Sequence, residues 1–445
     1  MKKIEVNLDY KKVLENRSNE VYLAASLQAP KLENMERGPV AFCVCLDRSG
    51  SMQGQKFEYA KEACVGVVNS LQEHDFFSLV TFDSEIELVF PMGRVESKEE
   101  TIEIIKSLEV RGMTNLSGGW EESRHQLRKA EKGMLRRMLL LSDGMANQGT
   151  TRHEDLVKLA GDGLREDEVC TTCLGFGDHY NEDLLRDMAS HATGNFYDVD
   201  TADKLPAVFA AELDSALYIA VKKMRVQFRP GKMCKEWKFL GVLPTVEIAD
   251  GWSEFLMGDL STEESRAFAM RMKFGPMTKG AKAMDIKFVY ELVTDDGTEE
   301  RVETKKVMLE VTTDRAEVIR NLDTMKIVSS QRSAEAIREA ITLMDEAREA
   351  EALTLLREML AEFQSYNQPE LVGDAISALE GMIKKIEKGW LLTRGRKVMS
   401  YSSNSFAKMS SKEVWSVTDA DMSMPSFKES SLSDYGYKNS PDDEL

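Results

Sequence analysis

The sequence predicts an α/β fold: a doubly wound, mostly parallel sheet inserted in an antiparallel β-sandwich, followed by a helical bundle and a disordered tail. Three observations carry this expectation. Residues 38–217 alternate short apolar runs with helical periodicity, residues 218–313 hold alternating strands with turn signals and no helix between them, and residues 314–390 return to helical stripes. The apolar run Val40-Ala41-Phe42-Cys43-Val44-Cys45-Leu46 does not alternate, which suits a strand covered on both faces.

Taken in order, residues 3–8 and 20–28 alternate like strands ahead of Pro30. A doubly wound sheet has no obvious place for an extra antiparallel pair. Residues 1–37 are therefore assigned to the sandwich, which makes 38–217 an insertion. Within the insertion, Phe57, Ala60, Cys64, Val67, Val68 and Leu71 mark a helix over 55–71. A strand at 76–82 follows, with 85–90 pairing with it or edging the sheet. Helices are expected near 98–108 and 118–132, then a strand through Met138-Leu139-Leu140-Leu141-Ser142-Asp143-Gly144. A helix near 153–165, a strand at 168–176, a helix at 181–190, a short strand at Phe196-Tyr197 and a closing helix at 202–217 complete the alternation.

In the sandwich, 221–228, 266–274, 284–293 and 302–311 alternate, with Asp295-Asp296-Gly297 as a turn. Beyond it, Ile337, Ala340, Ile341 and Met344 form one apolar stripe, and Leu353, Leu356, Met359, Leu360 and Phe363 a second. Leu371, Ala375, Ile376, Leu379, Met382, Ile383 and Ile386 form a third, so an antiparallel hairpin or three-helix bundle packing on the sandwich is expected. Residues 391–445 are rich in Ser and poor in aliphatics, the composition of a disordered tail.

The 445 residues are 42% hydrophobic and 30% charged, enough apolar material for two or three cores. A net charge of −18 argues against nucleic acid or an anionic membrane as the main partner. No stretch approaches the ~18–20 apolar residues of a membrane span. Lys2 and Lys3 have no apolar run behind them, so no secretory leader is read and a cytoplasmic protein is expected. The six cysteines form no disulfide framework and read as core residues. Cys170 and Cys173 make a C-x-x-C, but three steps along a strand point them to opposite faces.

The chemistry concentrates in three loops. Asp47-Arg48-Ser49-Gly50-Ser51 leaves the apolar strand with one carboxylate and two hydroxyls at alternate positions. Thr114 lies in Arg111-Gly112-Met113-Thr114-Asn115-Leu116-Ser117-Gly118-Gly119, ahead of a helix, and Asp143 ends a second buried strand. A parallel sheet brings all three loops to one edge, where ligands gather. Hard oxygens on a short arc suit Mg²⁺ or Ca²⁺ better than a soft metal. The order D-x-S-G-S, G-x-T-N-L, L-L-S-D-G resembles the metal-ion-dependent adhesion site of a von Willebrand factor type A domain. The resemblance spans residues 38–215, and the whole layout is similar to inter-α-trypsin inhibitor heavy chains and their bacterial relatives.

What the resemblance implies is a metal site on Ser49, Ser51 and Thr114, with Asp47 and Asp143 acting through bound water. The implied ion is Mg²⁺, with Ca²⁺ or Mn²⁺ as substitutes. A neutral first shell leaves a position for an Asp or Glu from a protein partner, provided no lysine fills the pocket. Arg48 and Asn115 flank the ligands and read as rim contacts. His179 lies on the same edge, although a solvated loop histidine is the simpler account of it. Two other roles stay open, the first implied by the family and the second by the site's need for an acidic group. The protein would be an accessory subunit of an AAA+ ATPase of the MoxR or chelatase type, or it would self-associate through an acidic loop or its tail.

No G-x-x-x-x-G-K-[ST] loop, G-x-S-x-G elbow or H-E-x-x-H pair is present, and no enzyme activity is expected. Two carboxylates beside a cation stay ionised, so Asp47 and Asp143 make poor proton donors.

Overall fold

The computed structural model describes residues 1–32, 38–131, 133–143, 146–176, 180–199, 218–294, 297–366 and 368–387, with positions 208 and 212. His179, Gly144, Asp295, Asp296, most of the expected helix at 202–217 and the expected tail at 391–445 lie outside them.

The chain opens with β1 (Lys3–Leu8), β2 (Lys12–Leu14) and β3 (Asn19–Gln28), then enters the doubly wound unit. That unit runs β4 (Val40–Asp47), α1 (Gln55–Ser70), β5 (Phe76–Phe82), β6 (Ile86–Gly93), α2 (Lys98–Ser107), α3 (Leu116–Leu127), β7 (Leu135–Ser142), α4 (His153–Asp167), β8 (Val169–Phe176), α5 (Glu182–His191) and β9 (Thr193–Val199). Its sheet has the order β6-β5-β4-β7-β8-β9, parallel except for the antiparallel edge strand β6. Every residue of β4 is buried. The strand's pleat explains the unbroken apolar run. Val40, Phe42, Val44 and Leu46 enter a core under α1 and α2, while Ala41, Cys43 and Cys45 enter another under α3, α4 and α5. Both faces need apolar side chains, so alternation disappears.

The chain then forms β10 (Ile219–Pro230), β11 (Cys234–Phe239), β12 (Val246–Glu247), β13 (Ser253–Ser261), β14 (Ser265–Phe274), β15 (Ala281–Thr294) and β16 (Gly297–Thr312). The two sandwich sheets have the orders β1-β3-β14-β11 and β12-β13-β10-β15-β16-β2. The N-terminal strands thus sit where the sequence put them, with β3 between β1 and β14 from Gln28↔Ser265 to Asn19↔Phe274. The inner face of β3 (Val21, Leu23, Ala25, Leu27) meets Val226, Phe228 and Phe255 in one core. Its outer face (Tyr22, Ala24) is covered by Met325 and Val328 of α6 (Leu322–Asp345). With α7 (Glu349–Gln364) and α8 (Gly373–Glu387), α6 forms a three-helix bundle around Leu356, Phe363 and Leu379.

The structure adds strands the sequence pattern hid. β11 is an edge strand whose exposed charges mask its period, and β13 carries Gly258 at φ +78° where its pairing with β10 shifts register. β2 pairs parallel with the end of β16 over three residues, too short to read as a pattern. None of the six cysteines is in a disulfide, but Cys170 and Cys234 are only partly buried, which corrects the expectation that all are core.

Just after β1, Asp9 is fully buried and its Oδ1 accepts the Tyr22 N–H at 2.6 Å. Its Oδ2 lies 3.7 Å from Arg320 Nε, an ion pair beyond hydrogen-bond length. Burial pushes its carboxyl up to about 6. A folded-state value above the unfolded one means that the group's stabilising contribution is complete below about pH 4 and is lost as pH rises through about 6. Asp9→Asn, which retains an acceptor for Tyr22, is therefore expected to gain stability relative to the parent between pH 4 and 6. Melting temperatures of both proteins at either end of that window check it, and parallel curves would refute it.

Candidate metal centre

β4 ends at Asp47 and its neighbour β7 at Ser142, in a register that pairs Leu46 with Leu141. Asp47 and Asp143 therefore emerge side by side at the carboxyl edge of the sheet. A short 3₁₀ turn at Gly50–Met52 follows β4 and curls the two serines over this edge. Asp47 is fully buried. Its Oδ1 accepts the Ser49 N–H at 2.8 Å, and its Oδ2 accepts the Ser142 hydroxyl at 2.7 Å. The Ser49 and Ser51 Oγ atoms are hydrogen-bonded at 3.1 Å, and Ser51 Oγ donates to Asp143 Oδ1 at 2.8 Å. The four residues Asp47, Ser49, Ser51 and Asp143 thus form one connected chain of polar groups.

Thr114 arrives on a separate loop held by backbone bonds. Arg111 N–H donates to Arg48 O at 2.7 Å and Gly50 N–H to Gly112 O at 3.2 Å. Thr114 is buried, its N–H donating to Asn147 Oδ1 at 3.0 Å and its carbonyl accepting from the amides of Asn147 and Gln148. The three loops are thus tied to one another at the carboxyl edge of the sheet.

The donor set fits a hard divalent ion. It consists of oxygen atoms only, two carboxylates and three hydroxyls. Among the described residues no cluster of three or more His, Cys, Asp or Glu is placed to hold a metal, so no thiolate or imidazole site is built. Burial pushes the Asp47 carboxyl up to about 6, with the Ser49 and Ser142 hydrogen bonds opposing the rise and the Asp143 charge adding to it. Two neighbouring carboxylates in a buried edge are stabilised by any cation placed between them.

Two expectations are corrected. Arg48 is no rim contact: it is buried, its Nε 3.0 Å from Asp83 Oδ2 and its guanidinium also on Glu87. Arg111 shares Asp83 at 2.8 Å, so the pair ties the 47–52 and 111–115 loops to the end of β5. Asn115 is spent locally, its Oδ1 capping α3 through the Gly118 N–H at 3.1 Å. The opening of the site is not bare either, and the expectation of a pocket without a lysine is not met in full. Lys56 Nζ stands 2.8 Å from Asp143 Oδ2 and 3.5 Å from the Ser51 carbonyl, its side chain 37% exposed at the rim of the site.

Sequence reasoning missed Ser142, Asn147, Asp83 and Lys56. Ser142 had a signal, being a hydroxyl at the end of an apolar strand. The other three act across loops, where spacing in sequence carries no information.

Comparison with known proteins follows the same outline. The von Willebrand factor type A domain profile matches residues 42–211. An uncharacterized protein of Synechocystis sp. is 25% identical over 62% of this chain and 66% of its own length. Human inter-alpha-trypsin inhibitor heavy chain H3 is 29% identical over 41% of this chain and 22% of its own. The Escherichia coli protein YfbK is 25% identical over 57% and 47%. The matched region is thus less than two thirds of each relative. Among solved structures, a von Willebrand factor type A protein from Catenulispora acidiphila superposes with a TM-score of 0.65 at 16% identity, covering 91% of this chain and 96% of that one. The ArnB paralog VWA2 from Sulfolobus acidocaldarius gives 0.60 at 14%, covering 91% and 98%. These two share the fold across the sheet, sandwich and bundle together. Domains of this family typically mediate metal-dependent protein interactions. The profile match, the sheet order and the three converging loops together show that this chain carries a von Willebrand factor type A domain.

Proposed function

We propose that this domain is a non-catalytic module that binds a protein partner through a Mg²⁺ ion. Ser49, Ser51 and Thr114 would hold the ion by their hydroxyls, and Asp47 and Asp143 would supply the balancing charge. The bound ion contributes a strong local positive charge with exchangeable coordination positions. The carrying observation is the hydrogen-bonded series from Asp47 through Ser49 and Ser51 to Asp143 at the sheet's carboxyl edge.

The chain's own residues shape what can approach. Hydrogen bonds from the Ser49 amide and the Ser142 hydroxyl fix the Asp47 carboxylate, so it cannot swing out to take a partner's place. The ties of Arg48 and Arg111 to Asp83 hold the two ligand loops at constant separation. Met113, next to Thr114, is 51% exposed and gives the rim an apolar contact beside the charged centre. A partner Asp or Glu flanked by an apolar side chain matches that surface, and attraction to the ion offsets the repulsion expected from a chain of net charge −18.

The first test is thermal. Mg²⁺ at 100 times its dissociation constant is expected to stabilise the protein by about 2.7 kcal/mol, with Mn²⁺ and Ca²⁺ titrated beside it to rank the ions. Asp47→Ala is expected to abolish the shift. Partner capture should likewise vanish in EDTA, in Asp47→Ala and in Thr114→Val. Capture indifferent to all three would remove the proposal.

A further inference from the structure

We propose that Lys56 is a tethered competitor for the metal, its ammonium neutralising Asp143 until a divalent cation displaces it. The inference rests on the metal-site reading above and concerns how tightly and when that site fills.

The position of Lys56 is the first argument. It is the second residue of α1, where the helix's outward N–H groups disfavour a cation. Glu58, in the same turn, is the residue type such a position favours. Helix-end electrostatics therefore oppose a lysine here, whereas the contact with Asp143 at 2.8 Å accounts for it.

The second argument is the state of Asp143. Its side chain is fully buried (0%), with Oδ1 on the Ser51 hydroxyl and Oδ2 on Lys56. A buried carboxylate beside another, Asp47, needs a positive charge close by. Neighbouring cations are committed elsewhere. Arg48 and Arg111 lie on Asp83 and Glu87, and Lys61 lies on Glu58 and the carbonyls of Lys106 and Leu108. Lys56 is the cation that the described residues place on Asp143.

The third argument is mobility. Lys56 sits at the rim on a flexible four-carbon stem, so it can leave Asp143 for solvent without moving α1. A divalent ion drawing on Asp143 must break this ion pair first. Its apparent affinity is lowered accordingly, and the site rejects weak or monovalent cations. Filling the site then frees the ammonium.

The experiment is a calorimetric Mn²⁺ titration of the full chain, of Lys56→Met and of Lys56→Arg. Amine-reactive labelling of Lys56 in the unaltered chain, with and without Mn²⁺, runs beside it. Lys56→Met is expected to bind Mn²⁺ about tenfold more tightly, equivalent to ~1.4 kcal/mol, while Lys56→Arg stays close to the parent. Labelling of Lys56 is expected to rise on Mn²⁺ saturation. Equal or weaker affinity in Lys56→Met, or labelling unchanged by Mn²⁺ that the parent demonstrably binds, overturns the competitor role and leaves the metal site standing. If neither parent nor Lys56→Met takes up Mn²⁺, the metal-site reading itself fails.

Discussion

Replacing Arg137 by Met is expected to destabilise the protein by about 3–5 kcal/mol, the cost of breaking a buried ion pair from one side. Arg137, the third residue of β7, reaches across to the sandwich, where its Nη2 meets Asp259 Oδ2 at 2.6 Å. Both side chains are nearly buried, at 12% and 15% exposure. Burial alone would lower the Arg137 guanidinium, but Cys170 and Asp259 more than offset it and hold it above its ordinary value. Burial would raise Asp259, and Arg137 with the Lys223 N–H brings it below the usual carboxylate range. Each charge thus helps to hold the other in its ionised form. Arg137→Met strands Asp259 at the seam between the two domains. The double variant Arg137→Met/Asp259→Leu removes both charges and is expected to recover most of the loss. Chemical denaturation of the three proteins decides the matter, since an unmoved midpoint for the single variant would show that the seam is not held this way.

Gly194→Ala is expected to cost about 3 kcal/mol or more, or to prevent folding. A Cβ at this position in β9 would lie 2.0 Å from the Thr171 carbonyl oxygen and 2.4 Å from its carbon. Those atoms belong to the backbone of β8, fixed between β7 and β9, so no rotamer change relieves the clash. Gly381, in α8, provides the contrast. A Cβ there meets nothing within 4 Å, and Ala replaces the most flexible residue in a helix, so Gly381→Ala is expected to stabilise by roughly 0.5–1 kcal/mol. Soluble yield and unfolding midpoints of the two variants should move in opposite directions. Equal behaviour would contradict the packing described for β9.

Much of this molecule was legible before its structure. β4 announced itself because burial on both faces demands apolar residues at every position, and α1 because its contact with the sheet recurs every three or four residues. The candidate ligand residues stood out because Asp47, Ser49 and Ser51 lie within a single short turn, and Asp143 directly follows an apolar strand. β11 and β13 were not, since an edge strand with one wet face and a bulged strand both break the period of two.

By itself, the sequence determined the alternation of strand and helix, the insertion of one domain into another, and the oxygen-rich character of the three loops. These follow from local periodicity and residue chemistry, which neighbouring positions suffice to specify. The tertiary structure alone decided that Arg48 faces Asp83, that Asn115 caps a helix, and that Lys56 stands on Asp143. Arg48–Asp83 and Lys56–Asp143 are separated by tens of residues, and all three outcomes are choices among competing partners. Such choices are settled by which buried charge each cation or amide can reach once the sheet has brought the loops together.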